Sequence, residues 1–267
     1  MADGSDAYAP SEIAHRVEAL GVAKARAPVF QVCLLAGLAG AFISLGAVFF
    51  TVVVTGSELG FGPTRLIGGV SFSLGLVLVV VAGAELFTGN NLVAMAWASG
   101  KLRFVEVLRN WVVVYLGNVA GAVATVALVF LADTHSLSDG QVGVTAVSIG
   151  AAKCALPLMV AFSRGVLCNA LVCLAVWLAM GSRTVTDKLL AVLFPVTAFV
   201  AAGFEHSIAN WFFLPYALVL EASTGGTVLV REALLNLVVV TAGNIVGGTF
   251  LVAGVYGCAY LRDGAES

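Results

Sequence analysis

The chain has 267 residues, 60% of them hydrophobic and 10% charged, with a formal net charge of −2 and a mean hydropathy of +1.04. Soluble domains run near 45–50% apolar and about 25% charged, so this composition excludes an ordinary soluble fold, and the charge excludes the basic stripe that a nucleic-acid partner requires. The cysteines (Cys33, Cys154, Cys168, Cys173 and Cys258) are odd in number, lack Cys-x-x-Cys spacing and fall mostly in apolar runs, which reads as small buried apolar side chains rather than metal or redox ligands.

The first thirty residues mix acidic and basic groups (Asp3, Asp6, Glu12, Arg16, Glu18, Lys24, Arg26) and do not read as a cleavable signal peptide. Ser11 is placed to cap a short helix with Ile13, Val17 and Leu20 on one face, which predicts a helix on the membrane surface. Six apolar stretches follow, at about 30–55, 66–97, 110–131, 156–180, 189–220 and 233–260. Each is long enough for the ~20 residues that cross hydrocarbon. The second and fifth run to about 32 residues, and as continuous helix would reach about 48 Å against a ~30 Å core. Both should therefore break, at Gly83-Ala-Glu85-Leu-Phe-Thr88-Gly-Asn90-Asn91 and at Gly203-Phe-Glu205-His206-Ser-Ile-Ala-Asn210.

Lys and Arg concentrate in cytoplasmic loops. Arg16, Lys24 and Arg26 precede the first span, Lys101, Arg103 and Arg109 follow the second, Arg183 and Lys188 follow the fourth, and Arg262 trails the sixth, against Arg65 and Arg231 on the opposite side. Both termini are expected to be cytoplasmic. Residues 1–29 then form a cytoplasmic segment, 30–260 a six-helix pore domain and 261–267 a cytoplasmic tail.

The chain repeats itself. Gly83-x-Glu85-x4-Asn90 matches Gly203-x-Glu205-x4-Asn210, the run from Asn110 through Gly117, Asn118 and Gly121 matches that from Asn236 through Gly243, Asn244 and Gly247, and Lys24-x3-Pro28 matches Lys153-x3-Pro157. The pairs keep chain order, giving one repeat over about 24–131 and another over about 153–260. Three spans per unit force the second copy to enter from the opposite side, so the repeat is expected to be inverted, with its broken helices meeting near the midplane. Backbone freed by a break is tolerated only where protein buries it or it lines a water-filled path. The breaks thus mark a conduit.

Glu85-Leu86-Phe87-Thr88-Gly89-Asn90 and Gly203-Phe204-Glu205-His206-Ser207-Ile208-Ala209-Asn210, in these settings, resemble the formate/nitrite transporter family over residues 10 to 260. The resemblance implies an all-α integral membrane protein of aquaporin-like architecture, a homopentamer in an inner membrane whose protomers each hold an anion pore. It implies small monovalent anions as substrates, formate first, with nitrite or hydrosulfide as alternatives and protons as a partner, and no enzymatic activity, metal or cofactor. By the same resemblance Thr88 and His206 flank the central site, Phe72, Leu76, Leu86, Phe87 and Phe199 form the constriction, Val172 borders the pore, and Lys153 and Asn169 match a vestibular lysine and its partner asparagine.

The residues themselves leave plainer readings open. A deep histidine can bridge helices as well as face a path, although imidazole titrates near neutral pH and could protonate a passing weak-acid anion. The apolar constriction positions alone would read as core, and Thr88 as a cap. Lys153 could snorkel to headgroups or draw anions inward. Glu85 and Glu205 are expected to accept hydrogen bonds from backbone N–H groups freed at the breaks, with Asn90 and Asn210 beside them. Asn118 and Asn244 should tie neighbouring helices together. Arg164 has no partner that the sequence names. An aquaporin-like pore for neutral solutes should show two Asn-Pro-Ala motifs, which are absent, and a membrane enzyme lacks a nucleophile–base pair or histidine cluster.

Overall fold

A computed structural model describes residues 7–221 and 230–261. Arg262 and the tail after it, with Asp3 and Asp6, lie outside the described residues. The described chain is helical without strands: α1 (Pro10–Arg26), α2 (Val29–Val54), α3 (Phe61–Ala82), a 3-10 turn (Gly89–Val93) leading into α4 (Ala94–Ala98), and α5 (Phe104–Leu131). After a short connection come α6 (Gln141–Cys154), α7 (Leu158–Gly181), α8 (Val185–Ala201), α9 (Ser207–Glu221) and α10 (Val230–Val246), which runs through a π-helical stretch (Gly247–Gly254) into α11 (Val255–Tyr260).

Among the described residues five helices are long and apolar enough to cross a membrane: α2, α3, α5, α7 and the continuous 230–260 helix. The fifth stretch expected from sequence, 189–220, is divided into α8 and α9, of 17 and 15 residues. Each alone reaches only about 25 Å or less, short of a ~30 Å core.

Both breaks are made by the same local chemistry. Helix α3 ends at Gly83 with φ +84° and α8 ends at Gly203 with φ +75°, the left-handed conformation that a β-carbon resists. The following N–H folds back five residues in each case, Ala84 to the Val79 carbonyl and Phe204 to the Phe199 carbonyl, both at 2.9 Å. This is the Schellman closure of a helix C-terminus.

Two expectations about the helices change. Ser11 does not cap α1: the N-cap is Ala9, two residues earlier, with Pro10 in the first turn, and Glu12 Oε2 accepts the Ala9 N–H at 2.8 Å. Nor does α1 lie free on a surface, because Ile13, Ala14, Val17 and Gly21 are buried, Gly21 meeting the backbone of Val93. Ion pairs Lys101–Glu18 and Arg26–Glu106 hold it to the α4–α5 connection, and Tyr8 lies between the guanidiniums of Arg16 and Arg183, each 4.0 Å from its ring centroid. The second change is α6. Lys153, just ahead of the fourth apolar stretch, sits in the last turn of this separate 14-residue helix. The cysteines also divide, Cys168 and Cys173 being buried while Cys33 and Cys258 are exposed.

The long helices cross closely because glycine sits at the crossings. A β-carbon on Gly40 would strike the Asn118 backbone and one on Gly121 the Gly37 carbonyl, joining α2 to α5, while Gly243 and Gly247 meet the carbonyls of Phe162 and Val166, joining α10 to α7. Small residues allow this approach where lipid supplies no hydrophobic drive. Gly121→Ala should therefore overpack the crossing and cost about 1–3 kcal/mol. Gly37→Ala, whose β-carbon would meet nothing within 4 Å, should be nearly neutral. Thermal aggregation of the two variants in detergent checks the contrast, and equal midpoints would refute the crossing as described.

Candidate functional site

Each break is held by a lysine, a glutamate and two asparagines. In the first half Lys24 donates to Glu85 Oε2 at 3.0 Å and to Asn90 Oδ1 at 2.9 Å. Asn90 donates to Glu85 Oε2 at 2.7 Å and to Asn110 Oδ1 at 3.0 Å, and Asn110 returns a bond to the Lys24 carbonyl at 3.2 Å. In the second half Lys153 donates to both oxygens of Glu205, at 3.1 and 2.9 Å. Asn210 donates to Glu205 at 2.7 Å and to Asn236 at 2.8 Å, and Asn236 closes the ring on the Lys153 carbonyl at 2.9 Å. The three sequence pairings are thus one assembly, formed twice.

The glutamates do not take the backbone N–H groups freed at the breaks. Phe87 N–H donates to Asn118 Oδ1 at 2.8 Å and Ser207 N–H to Asn244 Oδ1 at 2.9 Å. Glu85 N–H reaches the Leu35 carbonyl and Glu205 N–H the Arg164 carbonyl, each at 3.2 Å. Asn118 also donates to the carbonyls of Ala36 and Glu85, as Asn244 does to those of Gly165 and Glu205. A neutral amide offers both an acceptor and donors, which suits a break exposing both N–H and C=O. The carboxylates are left to balance the lysines.

Between the breaks, Thr88 Oγ1 and His206 Nε2 are 3.0 Å apart, and both residues are buried. Ala209 N–H donates to His206 Nδ1 at 3.1 Å. With Nδ1 accepting, the neutral ring carries its proton on Nε2 and donates it to Thr88. The threonine hydroxyl hydrogen is then free to point elsewhere. The imidazole stacks on Phe199 at 6.1 Å and 16°, and Phe199 meets Phe72 edge-on at 5.9 Å.

Of two cavities near this pair, one reaches Leu86 and Gly89, which flank Thr88 in the chain, and the other reaches His206 itself. One, of about 320 Å³, is lined by Lys24, Leu76, Val79, Glu85, Leu86 and Lys188 among others. The second, of about 210 Å³, is lined by Phe72, Lys153, Arg164, Phe199, Glu205 and His206 among others. Leu86 and His206, which occupy the same offset in the two motifs, face different cavities. Leu76 and Leu86 thus close one side and Phe72 and Phe199 the other, all four buried to 3% exposure or less.

Three residues sit elsewhere than expected. Phe87 packs edge-on against Trp111 and Tyr115 of α5, at 6.4 and 4.9 Å, and lines neither cavity. Val172 is buried within α7 and also lines neither. Asn169 is not the partner of Lys153: it donates to Asn91 Oδ1 at 2.8 Å and to the Asn244 carbonyl at 2.7 Å, pinning the first break to α7 and α10. Lys153 has Glu205 instead. Sequence reading left Lys24 without a role, although its match to Lys153 carried the signal, and it left Arg65 unplaced in the second cavity.

A bundle of apolar membrane-crossing helices, with two cavities beside one buried polar contact, defines a multi-pass membrane transport protein. The chain matches the family model described as formate/nitrite transporter over residues 11–258 and belongs to that family. It is 38% identical over 274 aligned residues to the formate channel FocA of Escherichia coli strain K12, covering 97% of this chain and 96% of the relative. Among solved structures it is similar to a pentameric formate channel with formate bound, at 40% identity and a TM-score of 0.81, covering 87% of this chain and 98% of that one. The aquaglyceroporin of Plasmodium falciparum shares the fold alone, at 14% identity and a TM-score of 0.58 over 89% of this chain and 100% of that one.

Proposed function

We propose that the protein is a channel or proton-coupled carrier for small monovalent anions, formate first, with nitrite and hydrosulfide as the alternatives within the family. The observation that carries this reading is the Thr88–His206 contact, enclosed between two cavities by Leu76 and Leu86 on one side and Phe72 and Phe199 on the other. Apolar constrictions refuse a bare charge by dewetting, while a hydroxyl donor and a proton-exchanging ring offer a carboxylate somewhere to pause. The name of the 38% identical relative favours formate.

The two halves form an inverted repeat of 24–131 and 153–260, and five protomers assemble as in the pentameric structural neighbour. The α1 helix, the 101–109 segment and the loop at Arg183 are joined by Lys101–Glu18, Arg26–Glu106 and the Tyr8 contacts, which gathers the basic residues on one face. That face is cytoplasmic by the positive-inside rule, in an inner membrane, and the Lys24 cavity opens to it. Asn169 supports the pathway from behind rather than lining it. Lys153, neutralised by Glu205, contributes order more than free charge.

The test is flux in proteoliposomes of formate, nitrite, hydrosulfide and glycerol between about pH 5 and 8. Formate flux exceeding glycerol flux, and rising as the medium is acidified, is the expected result. Glycerol passing faster than formate would overturn the anion reading in favour of a neutral-solute pore.

A further inference from the structure

The second cavity holds three cations, Arg65, Lys153 and Arg164, and one carboxylate, Glu205. Glu205 is already engaged by Lys153 and Asn210. Arg65 is partly engaged, its Nε and Nη2 capping the C-terminal carbonyls of α8 at Ala201 and Val200, 3.0 and 2.5 Å away. Arg164 is half-buried, and its guanidinium makes no hydrogen bond or ion pair with the described residues. A half-buried charge without a counter-charge is costly in a membrane protein.

The two guanidiniums converge on the second break. A β-carbon at Gly203 would lie 3.2 Å from Arg65 Nη2 and 3.9 Å from Arg164 Nη1, so the missing side chain leaves space between them. The Arg164 backbone is itself tied to the break, its carbonyl accepting the Glu205 N–H at 3.2 Å. Arg164 therefore keeps all five guanidinium donors beside a cavity with room for a small anion, next to a second cation that repels it. We propose that Arg164, assisted by Arg65, forms a binding site for a small monovalent carboxylate at the Gly203 break, ahead of the Phe72–Phe199 constriction. The fixed charge that collects anions in this cavity is then Arg164, because the Lys153 charge is cancelled. The planar fork of a guanidinium matches two carboxylate oxygens, which an ammonium does not.

The site rests on the channel reading above, and its test separates the two. Formate flux is measured against formate concentration in proteoliposomes of the full-length protein and of Arg164→Leu and Arg164→Lys. Saturation-transfer NMR from the protein in nanodiscs to formate reports binding without transport. Arg164→Leu should raise the half-saturating formate concentration about tenfold, the scale of one charge-assisted hydrogen-bond pair. Arg164→Lys should raise it less, and both should keep the maximal flux within about twofold. Unchanged half-saturation and transfer signal in Arg164→Leu would overturn the site while leaving the channel intact. A wild type that carries no formate would remove the channel, yet loss of transfer signal in Arg164→Leu would still uphold the site. Should Arg164→Leu fail to assemble, Arg164→Lys decides by the same two readouts, an unaltered half-saturation again counting against the proposal.

Discussion

Glu205→Ala is expected to destabilise the protein by about 3–5 kcal/mol, the cost of leaving one member of a buried ion pair uncompensated. The side chains of Lys153 and Glu205 are only 14% and 6% exposed, so water cannot take over the lost partner. The damage spreads beyond the pair, because Asn210 also loses one of its two acceptors and keeps only Asn236 Oδ1. Glu85→Ala should cost less, since Lys24 and Glu85 are 22% and 13% exposed and Lys24 retains Asn90 Oδ1. Removing both charges is different in kind: an apolar pair of similar volume avoids desolvation altogether. Lys153→Met combined with Glu205→Leu should thus recover most of the loss seen in Glu205→Ala. Unfolding in mixed detergent micelles measures all three, and a double variant no more stable than the single one would show that the ring, not the charge balance, sets the cost.

These rings also show what was legible in the sequence and what was not. Glutamate and asparagine five residues apart across a glycine-led break could be paired on spacing alone, and they are paired in both copies. Their lysines lie 61 and 52 residues away in the chain, a distance at which no local period speaks. The repeat was the available signal, since Lys24-x3-Pro28 is matched by Lys153-x3-Pro157, although this is the weaker of the three pairings. Helix α6 was missed because 14 residues of mixed small and polar side chains show neither the length nor the apolarity of a span. Side-chain direction at the breaks was equally unreadable. Leu86 lines a cavity while its neighbour Phe87 turns to Trp111 and Tyr115, and irregular backbone carries no 3.6-residue rule that separates them. Arg164 escaped because its environment is made by α3, α7 and the Gly203 turn together, three segments whose proximity is tertiary.

His206→Ala is expected to lower formate flux at neutral pH by at least about tenfold and to flatten its response to pH, and the reason lies in both ring nitrogens. Nδ1 is committed to the Ala209 N–H at 3.1 Å and Nε2 to Thr88 at 3.0 Å. The backbone thereby fixes which nitrogen faces Thr88. Donation from Nε2 occupies the Thr88 oxygen and leaves its hydroxyl hydrogen for an anion at the centre. Alanine removes the donor, frees the Ala209 N–H and exposes the Phe199 face on which the ring stacks. A bond to a charged acceptor is worth about 1.5–3 kcal/mol, or roughly ten- to a hundredfold in rate when it is made at the barrier. His206→Asn separates geometry from protonation, for its amide can still donate to Thr88 but cannot exchange a proton near neutral pH. If positioning is the larger part, the asparagine variant keeps most of the flux and loses only the pH response. If proton exchange is the larger part, it behaves like alanine. Stopped-flow formate flux from about pH 5 to 8 distinguishes these, and an alanine variant with wild-type flux and wild-type pH response would remove His206 from the mechanism.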